Sequence, residues 1–245
     1  MKLFFISRRH LKIGAAVVAL TLISAIYTAG FQRGPISAFM NNERMIPIYC
    51  VDTEEKKVAI SFDAAWGSDK TEDLLKILKE YNVKTTFFLV AFWVDKYPDM
   101  VKRISEEGHE IGNHSASHPQ MSQLSEEKIT EELTSTSEKI EAITGSKVNL
   151  FRPPFGDYNN RLMRVSKDLG YYAIQWDVDS LDYKDYGTNA IVDRVISKVK
   201  NGSIVLFHNN ATYIKEALPI ILDKLQKMGY EVVPISQLIY KDNYY

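Results

Sequence analysis

Val58-Ala59-Ile60-Ser61-Phe62-Asp63-Ala64-Ala65-Trp66-Gly67 is the stretch that decides the fold. Val58, Ala59, Ile60 and Phe62 form a near-continuous apolar run, the pattern of a strand buried on both faces of a parallel sheet. From Lys70 to Tyr81 the spacing predicts an amphipathic helix, with Leu74, Leu75, Ile77 and Leu78 on or near one face. The strand thus ends in an acid just before a helix begins. Barrels and open sheets of the α/β class keep their chemistry at that end of the strand. Taken alone, Asp63 reads equally well as the cap of a helix or turn, so the rest of the chain has to decide.

Strand-like and helix-like stretches alternate from Lys56 onward. Strands are predicted at 84–90, 110–113, 148–151, 171–176, 203–207 and 231–234, with an edge strand leading in at 45–51. Helices are predicted at 97–107, from Ser125 to about Thr144, at 159–169, from a Thr188 cap to Lys200, and at 214–228. Ser125, followed by Glu126-Glu127-Lys128, reads as a helix N-cap with acids in the first turn, and Gly108, Gly145, Gly170 and Gly229 stand where helices stop. Seven or eight β–α units in one run argue for an α/β barrel or a large parallel sheet.

The 245 residues carry 45% hydrophobic and 25% charged residues and a formal net charge of −1. That balance fits one sizeable globular core and lacks the basic excess of a nucleic-acid binder. Cys50 is the single cysteine, so neither an intrachain disulfide nor a cysteine-based zinc site is available. At the N-terminus, Arg8, Arg9, His10 and Lys12 precede a charge-free run from Ile13 to Phe31. At about 1.5 Å per residue this run reaches roughly 28 Å, close to the hydrocarbon thickness of a bilayer. Its basic flank keeps the N-terminus in the cytoplasm and places the remainder outside. A cleaved signal peptide and a loose twin-arginine export signal are the other readings, and all three export the bulk of the chain. The expected organisation is a leader and anchor over 1–31, a stalk and lead-in strand over 32–55, a catalytic domain over 56–239 and a tail over 240–245.

The polar residues gather at strand ends. Asp63 follows the first strand, His114-Ser115-Ala116-Ser117-His118 the third, and Arg152-Pro153-Pro154-Phe155-Gly156 the fourth. Asp177, Asp179 and Asp182 follow the fifth, and His208 follows Ser203–Phe207. In a closed parallel barrel these ends meet on one rim. Metal-assisted hydrolysis is the chemistry such a set supports. Two imidazoles four residues apart can reach one zinc-like cation. A carboxylate can take a proton from water, and an imidazole across the site can protonate a leaving group.

Five motifs in this order resemble the polysaccharide deacetylases of carbohydrate esterase family 4, with their NodB-type homology domain, over about Lys56 to Leu238. They are Ser61–Gly67, His114–His118, Arg152–Gly156, Asp179-Ser180-Leu181-Asp182-Tyr183 and Leu206-Phe207-His208. The chain looks most like the sporulation-associated PdaB-type subgroup. The resemblance implies a distorted (β/α) barrel. It implies Asp63 as general base held by Arg152, His114 and His118 as metal ligands, and His208 as general acid tuned by Asp179. It also implies the Phe155 amide as an oxyanion donor, and Leu206 and Tyr183 as the lining of an acetate-methyl pocket. Tyr183 replaces the family's Trp, and Ala64 replaces its metal-binding Asp. A divalent metal, zinc or cobalt, is therefore expected with reduced affinity. The implied activity is removal of N-acetyl groups from a cell-wall or spore-wall glycan by a membrane-anchored, extracytoplasmic hydrolase with no protein partner. A glycan esterase acting on O-acetyl groups would use the same residues. A catalytically impaired glycan-binding or structural spore protein is the alternative.

Overall fold

A computed structural model describes residues 17–21, 24 and 44–241. The chain divides into two compact units at residues 44 and 45. In the first unit residues 17–21 and 24 are helical, and Arg44, the other described residue, is not. Most of the expected anchor and stalk lies outside the described residues, and among those described no helix is long and apolar enough to cross a membrane.

The described residues of the second unit form eight strands: β1 (Lys57–Ala64), β2 (Thr86–Leu89), β3 (Glu110–Asn113), β4 (Leu150–Phe151), β5 (Tyr172–Ala173), β6 (Val178–Asp179), β7 (Ile204–His208) and β8 (Glu231–Val232). Its helices are α1 (Thr71–Glu80), α2 (Ala91–Lys96), α3 (Pro98–Glu106), α4 (Glu126–Thr144), α5 (Asn160–Asp168), α6 (Thr188–Lys198), α7 (Ile214–Lys227) and α8 (Ile235–Leu238). Every strand pair is parallel, and the sheet runs β5-β4-β3-β2-β1-β7-β6, with β8 also on β1. The expected closed rim is corrected to an open curl, because β5 and β6 are not paired. The segment expected as an edge strand at 45–51 forms isolated bridges instead, Ile48 to Ile174 and Cys50 to Ser203. It therefore links the β5 side to the start of β7. Gly202 permits this approach: a Cβ there would lie 1.8 Å from the Val51 carbonyl oxygen, and its φ is +75°.

Alternation along β1 separates two apolar layers. Val58, Ile60, Phe62 and Ala64 join Leu74, Leu75 and Leu78 of α1 in the layer under the helices. Ala59 faces the other way, packing with Phe88, Leu150 and Ile204 over Ile235 and Leu238 of α8. Ser61 and Asp63 share the parity of Ala59, which carries Asp63 to the mouth of the curl. Phe62 stacks on Phe87 and Phe207, with centroids 5.0 and 5.8 Å away, and so ties the three central strands together.

The helix ends follow the local chemistry. Ser125 Oγ accepts from the Lys128 amide and Asn159 Oδ1 from the Leu162 amide, while Gly145 closes α4 at φ 69°. Thr188 is the first residue of α6 and not its cap, which is Gly187. Three elements are additional to the sequence reading: α2, β6 and α8.

Candidate active site

Parallel registry puts the two central chemical groups side by side, with Asp63 opposite His208 at the ends of β1 and β7. Neighbouring strands lie about 4.8 Å apart, so two residues 145 positions apart in sequence become neighbours. A cavity of about 560 Å³ opens above them, lined by Asp63, Trp66, Phe155, Asp179, Tyr183, Leu206 and His208 among others.

Asp63 is buried and accepts from Arg152 Nη1 at 2.8 Å. Arg152 is wholly enclosed, donates from Nη2 to the Gln175 carbonyl at 3.1 Å, and lies 4.2 Å over the Phe88 ring. Burial alone would raise the Asp63 carboxyl. The opposing charges of Arg152, His114 and His208, with the Arg152 hydrogen bond, hold it below the ordinary carboxylate value. Asp63 is therefore an ionised carboxylate at neutral pH.

His114 follows β3 and is also buried. Its Nδ1 lies 2.7 Å from the Arg152 carbonyl oxygen, and its Nε2 lies 3.5 Å from Asp63 Oδ2. A backbone acceptor on Nδ1 fixes the tautomer that leaves Nε2 as a lone-pair donor, the usual setting of a metal-ligating imidazole. The His118 ring lies 5.0 Å from that of His114. Burial, then the neighbouring His114, lowers His118 to about 4, and burial lowers His114 as well. Both rings are thus neutral, the form that binds metal.

Ser115 and His118 take left-handed backbone, at φ 68° and 58°. Glu132 of α4 holds the turn between them: its carboxylate accepts from the Ala116 and Ser117 amides at 2.7 and 2.8 Å and from Ser117 Oγ at 2.6 Å. Sequence reasoning missed Glu132, since nothing in a helical surface acid marks it as a clamp.

The donor chemistry fits a divalent cation held by two imidazoles. It does not extend to three protein ligands. Ala64 offers no donor and lies in the apolar layer under the helices. Among the described residues no group of three or more His, Cys, Asp or Glu side chains is arranged to hold a metal.

On the acid side of the site, the residue that bonds His208 directly is the second acid of its motif. His208 Nδ1 pairs with Asp182 Oδ1 at 2.8 Å, and the His208 amide donates to Asp182 Oδ2 at 2.7 Å. Asp179 does not fill that place. Its Oδ1 accepts from the Leu181 amide at 2.9 Å, its Oδ2 accepts from Tyr183 Oη at 3.3 Å, and its carbonyl accepts from Arg194 Nε at 2.6 Å. Leu181, at φ 55°, reverses the chain so that Asp182 returns beneath His208. Burial would lower the His208 imidazole, but the Asp182 hydrogen bond and charge, followed by Asp63 and Asp179, raise it above its ordinary value. With Nδ1 on Asp182, Nε2 is left to carry a transferable proton.

Tyr183 lies 5.3 Å from the His208 ring, and Leu206 lines the cavity floor. Phe155, at φ 59° in a short 3₁₀ turn, projects into solvent beside His118, with ring centroids 4.6 Å apart. The expected site residues are thus brought together, with Asp182 added as the direct partner of His208 and Asp179 acting on it through charge while shaping the loop.

Comparison with known proteins places this geometry in context. The family described as Polysaccharide deacetylase matches residues 51–174. Peptidoglycan-N-acetylmuramic acid deacetylase PdaA of Bacillus subtilis is 34% identical over 203 residues, covering 81% of this chain and 77% of that protein. A peptidoglycan-N-acetylglucosamine deacetylase of Bacillus cereus is 35% identical over 194 residues, covering 77% of this chain and 91% of that protein. The chain spans 60% of the uncharacterized Bacillus subtilis protein YlxY, at 34% identity over 79% of its own length. Among solved structures, a pseudoenzyme of carbohydrate esterase family 4 from Bacillus anthracis superposes with a TM-score of 0.76 at 36% identity, covering 79% of this chain and 68% of that one. A mutant of that protein with restored enzymatic activity superposes equally well, at 37% identity over 79% of this chain and 71% of its own. The extent of these matches and the shared curled sheet make this chain a member of the polysaccharide deacetylase family.

Proposed function

We propose that this protein hydrolyses N-acetyl groups of amino sugars in a peptidoglycan-like cell-wall or spore-wall glycan. One observation carries the reading: an ionised carboxylate and a raised imidazole stand at adjacent strand ends over one cavity, each with its own buried partner. Asp63 takes a proton from water. The water oxygen bonds to the acetyl carbon, and the Phe155 amide is suited to hold the developing oxyanion. His208 gives its Nε2 proton to the sugar nitrogen as the C–N bond breaks, so that acetate and a free amine leave. Arg152 keeps Asp63 ionised and aimed, and Asp182 favours the protonated form of His208. Leu206 and Tyr183 offer the apolar surface for the acetyl methyl. His114 and His118 would hold a divalent cation, zinc or cobalt, which when bound supplies Lewis-acid polarisation of the acetyl carbonyl.

Relatives named for N-acetylmuramic acid and for N-acetylglucosamine support a cell-wall amino sugar without choosing between the two. The reading extends to place. Arg8, Arg9 and Lys12 before the charge-free run 13–31 support a single membrane anchor with the domain outside the cytoplasm. A sporulation role follows from the likeness of Ser61–Gly67 to the PdaB-type subgroup. Ala64 favours a second reading, a glycan-binding protein with impaired catalysis, and the pseudoenzyme among its structural neighbours supports it.

The test is acetate release from peptidoglycan by a soluble fragment starting at residue 44, supplied in turn with zinc, cobalt, manganese and nickel. Release that is lost in Asp63→Asn and His208→Ala supports the hydrolase. Binding of glycan with no release under any metal supports the second reading.

A further inference from the structure

Two histidines four residues apart on a helix are held at their spacing by the helix itself. His114 and His118 have no such support, because residues 114–118 form an irregular turn after β3. Ser115 and His118 stand in the left-handed region there, at φ 68° and 58°. That conformation costs free energy in residues with a Cβ and persists only where neighbours enforce it.

The amides of the turn identify those neighbours. Four consecutive N–H groups, 115 to 118, each donate to a side chain. Ser115 donates to Asn113 Oδ1 at 2.8 Å and His118 to Ser115 Oγ at 3.0 Å, both acceptors being local to the turn. Ala116 and Ser117 donate to Glu132 Oε2 at 2.7 and 2.8 Å, and Ser117 Oγ donates to Oε1 at 2.6 Å. Within this set Glu132 is the acceptor that comes from a distant element, α4. The helix is itself fastened to the end of β3, where Asn113 Nδ2 donates to the Leu133 carbonyl at 2.7 Å and to Ser137 Oγ at 2.9 Å. Both Glu132 oxygens are engaged by the turn, so the carboxylate braces the loop and does not face a cation.

The two imidazoles are secured unequally. His114 is buried, with Nδ1 on the Arg152 carbonyl at 2.7 Å. His118 is half-buried, and its ring is bounded by the edges and faces of Trp66, Phe155 and His114. Its distance from His114 is therefore set through the backbone of the turn. Ala64 offers no third donor, so affinity in this two-imidazole site depends on how much of the ring spacing is fixed before a cation arrives. Ordering left to be done on binding is subtracted from affinity.

We propose that Glu132 is a positioning residue for the histidine pair: by pinning the Ala116 and Ser117 amides it presets the separation of His114 and His118 and so governs the affinity of the site for a divalent cation. This role presupposes the cation site of the deacetylase reading, and Glu132 touches neither substrate nor the reacting atoms.

The probe is zinc, titrated calorimetrically into the metal-stripped full chain, with thermal melting to verify folding. Glu132→Gln leaves one oxygen where two accepted and turns an NH₂ toward the donors of the turn. It is expected to weaken the zinc Kd about 10- to 100-fold, the usual effect of losing a partner that orients metal ligands. Glu132→Asp keeps the charge but withdraws it by one methylene, and is expected to weaken zinc as well. Glu131→Gln is the control: its carboxylate is exposed and pairs with Lys128 on the same helix, so its zinc Kd is expected within twofold of wild type. Ser117→Ala removes one of the three bonds, spares α4 and is expected to weaken zinc about threefold. In the metal-free protein, NMR exchange of the Ala116 and Ser117 amides is expected to be slow in wild type and faster in Glu132→Gln. A zinc Kd within twofold of wild type in Glu132→Gln, or in Ser117→Ala should the first variant not fold, overturns the proposal. So does full affinity in Glu132→Asp, which would assign the effect to charge, and so does a wild-type chain that takes up no zinc at millimolar concentration. Acetate release is measured on the same samples. Glu132-dependent zinc binding without release removes the hydrolase alone, and release with zinc binding indifferent to Glu132 removes the positioning role alone.

Discussion

Replacing Asp182 with Asn tests the acid half of the site, and the geometry sets its size. The Asp182 carboxylate is fully enclosed and accepts two hydrogen bonds, from the His208 amide at 2.7 Å and from His208 Nδ1 at 2.8 Å. An asparagine has one carbonyl oxygen for these two donors. Its NH₂ must face the other, leaving either the amide or the imidazole N–H unmet. A hydrogen bond to a charged group is worth about 1.5–3 kcal/mol. Lost from the protonated imidazole, that converts to about a 10- to 150-fold fall in turnover. Because Asp182 raises His208, its removal lowers the imidazole, and the alkaline limb of the activity profile moves to lower pH. The assay is acetate release across pH 5–10, with NMR titration of His208 as a readout independent of turnover. Asp179→Asn is the control, since Asp179 bonds the Leu181 amide and Tyr183 Oη and not His208. An Asp182→Asn protein with an unshifted His208 titration would refute the pairing. So would a larger His208 shift in Asp179→Asn.

Three further outcomes follow from buried groups. Arg152→Ala leaves the Asp63 carboxylate enclosed without its partner, so chemical denaturation should show a loss of about 3–5 kcal/mol, whereas a loss below 1 kcal/mol would mean that Asp63 is solvated. Ala64→Asp puts a carboxylate where the surroundings are apolar, so the metal-free variant should melt several degrees lower and recover with zinc; a melting temperature indifferent to zinc would show that position 64 cannot reach the imidazoles. Burial lowers His109 from 6.5 to about 4, so the unfolded chain binds the extra proton between those values and stability rises with pH across that window, by about 3 kcal/mol in all. His109→Gln should flatten denaturation midpoints measured from pH 4 to 7, and an unchanged slope would refute the assignment.

The sheet was readable in the sequence where apolar runs were long. β1, β2 and β7 write their burial into consecutive Val, Ile, Leu and Phe, and their ends carried Asp63 and His208 into view. β4 and β5 lie inside the longer runs predicted at 148–151 and 171–176, whereas β6 is two residues in a polar stretch and too short for any period. α2 continues the apolar run of β2 through Ala91, Phe92, Trp93 and Val94, where strand and helix look alike. The choice between Asp179 and Asp182 depended on one left-handed residue, Leu181, whose side chain gives no hint of positive φ. Glu132 reaches the His114–His118 turn from a helix that begins eight residues beyond it, a contact made by tertiary packing alone. The openness of the curl was hidden for the same reason. It depends on which strands fail to pair, and pairing is a long-range property.

The lateral order of the strands also governs when the molecule can become itself. β1 lies between β2, which leaves the ribosome soon after it, and β7, which emerges some 140 residues later. Until Ile204–His208 has been synthesised, one flank of the central strand offers unpaired amides and carbonyls to any extended chain nearby. Contacts of such sequence separation form slowly. A nascent chain, or one truncated before residue 204, is therefore prone to aggregate and wants a holding chaperone. Maturation is timed by the arrival of roughly the last sixth of the sequence, and no fragment ending before β7 assembles Asp63 beside His208.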